Sequence, residues 1–160
     1  LQTIVARETR PGEPVVLTVG SIQAGCKSNV ISDHAIIELN VRTYSEPTRT
    51  SVLAAIHRIV DAECQASGTL QLAKYEPFSH FPLTTNDPDA TTRVSAAFTS
   101  HFGERSQALP AQTASEDFSD IPNALGVPLC YWGIGGVDPE TYRHYLWHNS
   151  GKVSTGRFRP

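Results

Sequence analysis

The first 76 residues predict an α+β sandwich of the split βαβ, ferredoxin-like type. Three observations carry this: the order helix, strand, strand, helix, strand; a clean period of two in the second strand; and a long helical stripe behind it. A strand upstream of Leu1 would complete the β-α-β-β-α-β unit. Leu1 to Glu8 reads as the last two turns of a helix already under way, which together with the absence of methionine suggests a fragment.

Gly12-Glu13-Pro14 is a turn signal, and Val15 to Val19 follows as a strand. In the next strand, Asp33 to Arg42, the residues Ala35, Ile37, Leu39 and Val41 fall on one face, and Glu38, Asn40 and Arg42 on the other. The sheet therefore has a core side and a polar working side. Ser45 or Thr48 can cap the following helix and Pro47 suits its first turn. Val52, Ile56, Ile59, Val60 and Cys64 then recur at helical spacing until Gly68. Leu70 to Tyr75 alternates as a third strand. The Pro, Ser, Thr and Asn composition of residues 77 to 87 marks a crossing into a second unit, so the boundaries are 1–76 and 77–160.

In the second unit, Asn86-Asp87-Pro88 opens a helix with Ala90, Val94, Ala97, Phe98, His101 and Phe102 on one stripe, stopped by Gly103. Val127 to Trp132 reads as a strand running into Gly133-Ile134-Gly135-Gly136, glycines that would let backbone approach a ligand closely. Between them, "SEDFSD" places Glu116, Asp117 and Asp120 within five residues. Its structural reading is a helix start capped by Ser115, with Glu116 and Asp117 in the first turn, where the orphan N–H groups and the helix dipole favour acidic side chains. Neighbouring carboxylates point about 100° apart on a helix, so they are poorly placed to share one metal.

Composition narrows the partners. A net charge of −3, 39% hydrophobic and 18% charged residues, and no Lys/Arg block leave no electrostatic footprint for nucleic acid or an anionic membrane. No apolar run approaches the ~20 residues that cross a bilayer. Cys26, Cys64 and Cys130 are odd in number and widely spaced, without a C-x-x-C pair, which fits a reducing, cytoplasmic compartment.

The run "VVLTVGSIQAGCKS", then "NVISDHAIIELNVRTYS", "TTND", "SEDFS" and "VPLCYWGIGG" resembles, in order, the M20 metallopeptidases, in particular their amidohydrolase branch that acts on N-acyl amino acids and auxin conjugates. The resemblance implies a two-domain hydrolase: residues 1–76 as the dimerising lid, and residues 77–160 as the later part of an α/β catalytic domain. It implies a divalent metal, zinc or manganese, with two ions in the complete enzyme. Most ligands and the water-activating Glu would lie in an upstream half, so no catalytic residue is expected in this chain and the fragment alone should be inactive.

The same resemblance implies that Asn29 and Arg42 contact substrate, often across the dimer, holding its carboxylate and the developing oxyanion. A guanidinium can grip a carboxylate through two parallel hydrogen bonds, and an amide can donate to an oxyanion. The plain alternatives are a turn residue for Asn29 and a solvated strand end for Arg42. Ser32 stands where the family usually has Pro, which loosens the turn. Glu116 is implied to line the pocket, with Ser115 and Asp117 fixing its loop.

Of the histidines, His34, His57, His80, His101 and His144 match no ligand position, and His101 suits a hydrogen-bonded core residue. His148 is the metal-ligand candidate, although "WHNSG" departs from the family's Asn-His-Ser-Pro context. The likeness fails abruptly after residue 142, which suggests a reading-frame change near residues 143–150; His148 would then be an accident of the wrong frame. The sequence thus points to a metal-dependent amidohydrolase acting on a small N-acyl amino acid as a lid-paired homodimer. A non-catalytic dimerisation or binding module is the alternative.

Overall fold

The structure, a computed structural model, describes residues 1–114, 116–138 and 140–144. Its order is α1 (Thr3–Arg7), β1 (Val15–Ala24), β2 (Ala35–Thr43), α2 (Glu46–Ala66), α3 (Pro88–Phe102), a 3-10 turn (Gly103–Arg105) and α4 (Asp120–Leu125). The strands β1 and β2 form an antiparallel pair.

β1 runs five residues beyond the strand expected from its alternation, and a bulge explains why. Val15, Leu17 and Val19 share a face, facing Thr43, Val41 and Leu39. The apolar phase then jumps to Ile22 and Ala24, which face Ile37 and Ala35. The register shift between Val19 and Ser21 leaves Gly20 as the extra residue. An extra residue in one strand restores side-chain facing after a phase break. Period-two counting stops at Gly20 for the same reason.

α2 begins at a built cap. Ser45 is extended, its hydroxyl accepts from the Thr48 N–H at 3.3 Å, and Pro47 lies in the first turn. The Glu13 carboxylate takes hydrogen bonds from the hydroxyls of Thr48 and Ser45, tying the turn before β1 to the helix start. Val52, Ala55 and Ile56 of α2 close over Ile4 and Leu17 as one core, flanked by Val15, Leu39, Val41, Ile59 and Val60. Beyond the bulge the same sheet face is bare: Ile22 is 67% exposed.

Two expected strands are absent among the described residues. Leu70 to Tyr75 makes no ladder, and Leu70 is wholly exposed. Strand propensity becomes a strand only beside a partner with free N–H and C=O groups, and among the described residues β1 and β2 pair only with each other. Of the expected split βαβ unit, the described residues show a two-stranded antiparallel hairpin with α1 and α2, and no third strand. Residues 69–75 lean on α2 instead. The Thr69 hydroxyl lies 3.0 Å from the Cys64 carbonyl, Tyr75 stacks on His57 with centroids 3.7 Å apart, and its hydroxyl donates to Asp61 Oδ1 at 2.8 Å.

Partial burial first, and then the Asp61 carboxylate, push the Tyr75 phenol up to about 12. A phenol whose folded value is raised contributes stability present below its ordinary value and lost as pH climbs through the raised one. The expected result is one tyrosine whose ultraviolet titration lags the others, with stability from this contact fading between pH 10 and about 12. Asp61→Asn should bring that titration earlier, and an unchanged late tyrosine in that variant would exclude the Asp61 contribution.

Val127 to Trp132 also forms no strand, yet its backbone is not idle. Asp87 N–H donates to the Leu129 carbonyl at 2.8 Å. The Asn86 amide takes the place of a strand peptide, accepting from Tyr131 N–H at 2.6 Å and donating to the Tyr131 carbonyl at 2.9 Å. Asp87 is the N-cap of α3, its side chain accepting from Ala90 N–H at 2.8 Å. The apolar stripe of α3 closes no core: none of its residues is buried, and His101 is an exposed residue set edge-on to Phe102 rather than a core histidine. Phe98 instead meets Trp132 edge-on, centroids 5.0 Å apart.

Candidate functional site

The polar face of β2 ends in Asn40 and Arg42, opposite Thr18 and Val16 of β1. Residues two apart on a strand share a face, and the contact is direct: Arg42 Nε donates to Asn40 Oδ1 at 2.9 Å. Arg42 is half-buried, and its Nη1 donates to the Thr113 carbonyl at 2.6 Å. Next along the chain, the Tyr44 hydroxyl donates to the Ala111 carbonyl at 3.4 Å. The end of β2 thereby meets the segment that leads into "SEDFSD".

Within that motif the helix starts later than its acidic run suggests. α4 begins at Asp120, with Ser119 at the N-cap, and Asp120 N–H closes a turn onto the Asp117 carbonyl. Asp120, not Glu116 or Asp117, occupies the first helical turn. Ser115 lies outside the described residues, so its expected cap is not seen. Glu116 precedes the helix and its carboxylate accepts from Tyr131, which raises the Tyr131 phenol above its ordinary value, with a smaller contribution from burial. Phe118 packs obliquely on the Tyr131 ring, centroids 5.2 Å apart. Tyr131 is thus held through its backbone by Asn86 and through its ring and hydroxyl by "SEDF". The quoted pieces "TTND", "SEDFS" and "VPLCYW" converge on this one residue.

Asn29 sits elsewhere. It is exposed in the turn joining β1 to β2, while Arg42 lies at the far end of β2, seven residues beyond Ala35. At about 3.3 Å per residue the strand separates them by ~23 Å. One chain does not bring Asn29 and Arg42 to one ligand; it does bring Arg42 to the segment before Glu116. Ser32, expected to loosen this turn, ties it: its hydroxyl accepts from Gly25 N–H at 3.1 Å and donates to the His34 carbonyl at 2.5 Å.

The glycine run after Trp132 follows no strand, and Gly133 approaches protein rather than an open pocket. A β-carbon there would lie 3.4 Å from Leu109 Cδ2. Among the described residues no group of three or more His, Cys, Asp or Glu side chains could hold a metal ion. His148 lies outside them. The described residues therefore do not by themselves make up a three-ligand metal site.

Residues 3–67 match the M20_dimer family model, described as a peptidase dimerisation domain. The chain is 29% identical over 137 residues to N-acetyldiaminopimelate deacetylase of Pediococcus pentosaceus, covering 86% of this chain and 35% of the relative. It is 33% identical over 138 residues to N-acetyl-L-cysteine deacetylase of Bacillus subtilis, covering 85% and 32%. A crystal structure from methicillin-resistant Staphylococcus aureus, assigned as an aminohydrolase, superposes with a TM-score of 0.61 at 27% identity, over 77% of this chain and 31% of that one. Residues 3–67 thus carry the dimerisation domain of the M20 peptidases, and the chain is similar over most of its length to M20 amidohydrolases and peptidases. It spans about a third of the length of these relatives. None of the described helices is long and apolar enough to cross a membrane.

Proposed function

We propose that this chain supplies the dimerising lid and a substrate-gripping strand end of a metal-dependent amidohydrolase that cleaves the amide of an N-acyl amino acid. The observation that carries the reading is Arg42, a half-buried guanidinium at the working end of β2, within reach of the segment leading to Glu116. Relatives whose names specify N-acetylated amino acids support the substrate class. In this reading residues 1–76 form the lid and residues 77–160 belong to the catalytic domain. Arg42 grips the substrate carboxylate, Glu116 frames the pocket through Tyr131, and Asn29 reaches the site of a second copy, since it lies at the opposite end of its own strand. Zinc or manganese, two ions in the complete enzyme, would supply water activation when bound, and His148 is the ligand candidate read from this sequence. The three free cysteines suit a reducing, cytoplasmic setting.

A non-catalytic dimerisation or binding module is the second reading, favoured by the lack of a metal-holding group among the described residues. The expected result for the 160-residue chain is a dimer in sedimentation at tens of micromolar, binding N-acetyl-L-alanine but releasing no acetate with zinc or manganese supplied. A lid dimer buries ~1,200–2,000 Å² in total, and the bare hairpin face and the free strand edges are available for it. Metal-dependent turnover scaling with chain concentration would overturn the assignment of catalysis to residues outside this chain. Failure to bind any N-acetyl amino acid would favour the second reading.

A further inference from the structure

The contacts between β2 and the loop before "SEDFSD" have a regular form. Arg42 and Tyr44 are two residues apart and donate to the carbonyls of Thr113 and Ala111, also two residues apart and in reversed order. That is the spacing and direction of an antiparallel pairing, made here by side-chain donors on one partner and backbone acceptors on the other. Such an arrangement reads the main chain of a peptide and ignores its side chains.

Among the described residues the charge on this site is unmatched. Arg42 makes no ion pair among the described residues; the two acceptors it holds, Asn40 Oδ1 and the Thr113 carbonyl, are neutral. One of the two terminal nitrogens of the guanidinium fork is spent on Thr113. A carboxylate that grips the fork with two bonds forms charge-assisted hydrogen bonds roughly twice as strong as those to a carbonyl, and it competes directly with that contact. Glu116 follows three residues after Thr113.

We propose that residues 110–114 are an internal strap that occupies the peptide-reading site of Arg42 and Tyr44 in the free protein and is displaced when a carboxylate ligand binds. This rests on the reading of Arg42 as the carboxylate grip and adds a self-occupied state to it. Displacement would couple ligand arrival at β2 to the loop carrying Glu116, since three residues separate the released carbonyl from that carboxylate.

The test is titration of the full chain with N-acetyl-L-alanine and with its carboxamide, N-acetyl-L-alaninamide, followed by isothermal calorimetry and by the backbone ¹³C carbonyl resonances of Ala111 and Thr113. In the wild-type chain, the acid should shift both resonances to saturation and the amide should shift neither. Tyr44→Phe removes one strap contact and leaves Arg42 in place, so affinity for the acid should rise about threefold, the yield of one modest hydrogen bond. Arg42→Ala should weaken acid binding by about 10- to 150-fold and place the Thr113 resonance at its released position without ligand. Acid binding that needs Arg42 while both carbonyl resonances stay at their free positions, or an unchanged affinity in Tyr44→Phe, overturns the strap and leaves the carboxylate grip intact. Equal acid affinity in wild-type and Arg42→Ala, or no acid binding by either wild-type or Tyr44→Phe, overturns the grip and the strap together.

Discussion

Ile56→Ala should destabilise the chain by about 3 kcal/mol, within the 2–5 kcal/mol range of large-to-small changes at buried isoleucine. Ile56 is 3% exposed and stands in the cluster of Ile4, Leu17, Val52 and Ala55 that joins α1, β1 and α2. Five buried residues form that cluster, and partly buried neighbours such as Val5, Leu39, Val41 and Val60 pack against it, so the space left by the truncated side chain is enclosed. The truncation therefore loses both transfer energy and packing contacts. Urea denaturation followed by circular dichroism should show a lower midpoint at unchanged slope. Ile31→Ala is the matched control: Ile31 is 97% exposed, and surface changes of this kind stay within about 0.5 kcal/mol. Equal small losses in both variants would show that α2 does not dock on the hairpin.

The elements legible in the sequence are those whose signals are complete within themselves. α2 carries its own stripe, its Ser45 cap and its Pro47, and α3 its Asp87 cap and Pro88, so both were readable to within a few residues. The polar and apolar faces of β2 were readable for the same reason, and Leu39 and Val41 do pack on the core. What failed depended on a partner. Leu70 to Tyr75 and Val127 to Trp132 have strand composition, but composition does not say whether a neighbouring strand is there to complete the ladder. The second half of β1 was hidden by Gly20, although Ile22 and Ala24, alternating one step out of phase after a glycine, were a usable sign of a bulge.

The acidic run at 116–117 misled because helix N-termini and connecting loops both favour such residues; only Pro122 and Gly126 bracket where α4 really runs. For the candidate site, the fold brings Arg42 to the segment before Glu116 and leaves Asn29 in the turn at the other end of the hairpin, whereas family likeness named all three. It gave no hint of Thr113 or Ala111. Their carbonyls are backbone atoms, 71 and 67 residues from Arg42 and Tyr44, and no side-chain pattern records a contact of that kind. Ser32 shows the converse: a residue read as a loss of proline rigidity supplies a hydroxyl that bridges the two sides of the turn.

Arg42→Ala should weaken binding of an N-acyl amino acid by about 10- to 150-fold, the equivalent of the ~1.5–3 kcal/mol of a hydrogen bond to a charged group. The loss is bounded because the free protein already gives Arg42 two neutral acceptors. Affinity measures the difference between holding a carboxylate and holding Thr113, not the whole of the ion pair. The same substitution removes the Thr113 and Asn40 contacts from the folded chain, at ~0.5–1.5 kcal/mol for a typical hydrogen bond. Because the side chain lies on the polar face of β2, away from Leu39 and Val41, core packing is retained and the fall in stability should stay smaller than the fall in affinity. Arg42→Lys separates charge from geometry: it keeps the cation and loses the planar fork, so its affinity should fall between wild type and alanine. Calorimetry with N-acetyl-L-alanine at two salt concentrations, beside thermal melts of all three proteins, measures both quantities. If Arg42→Ala lowers the melting temperature while leaving affinity and its salt dependence unchanged, Arg42 is a structural tie between β2 and residues 110–114, and the carboxylate grip belongs to another residue.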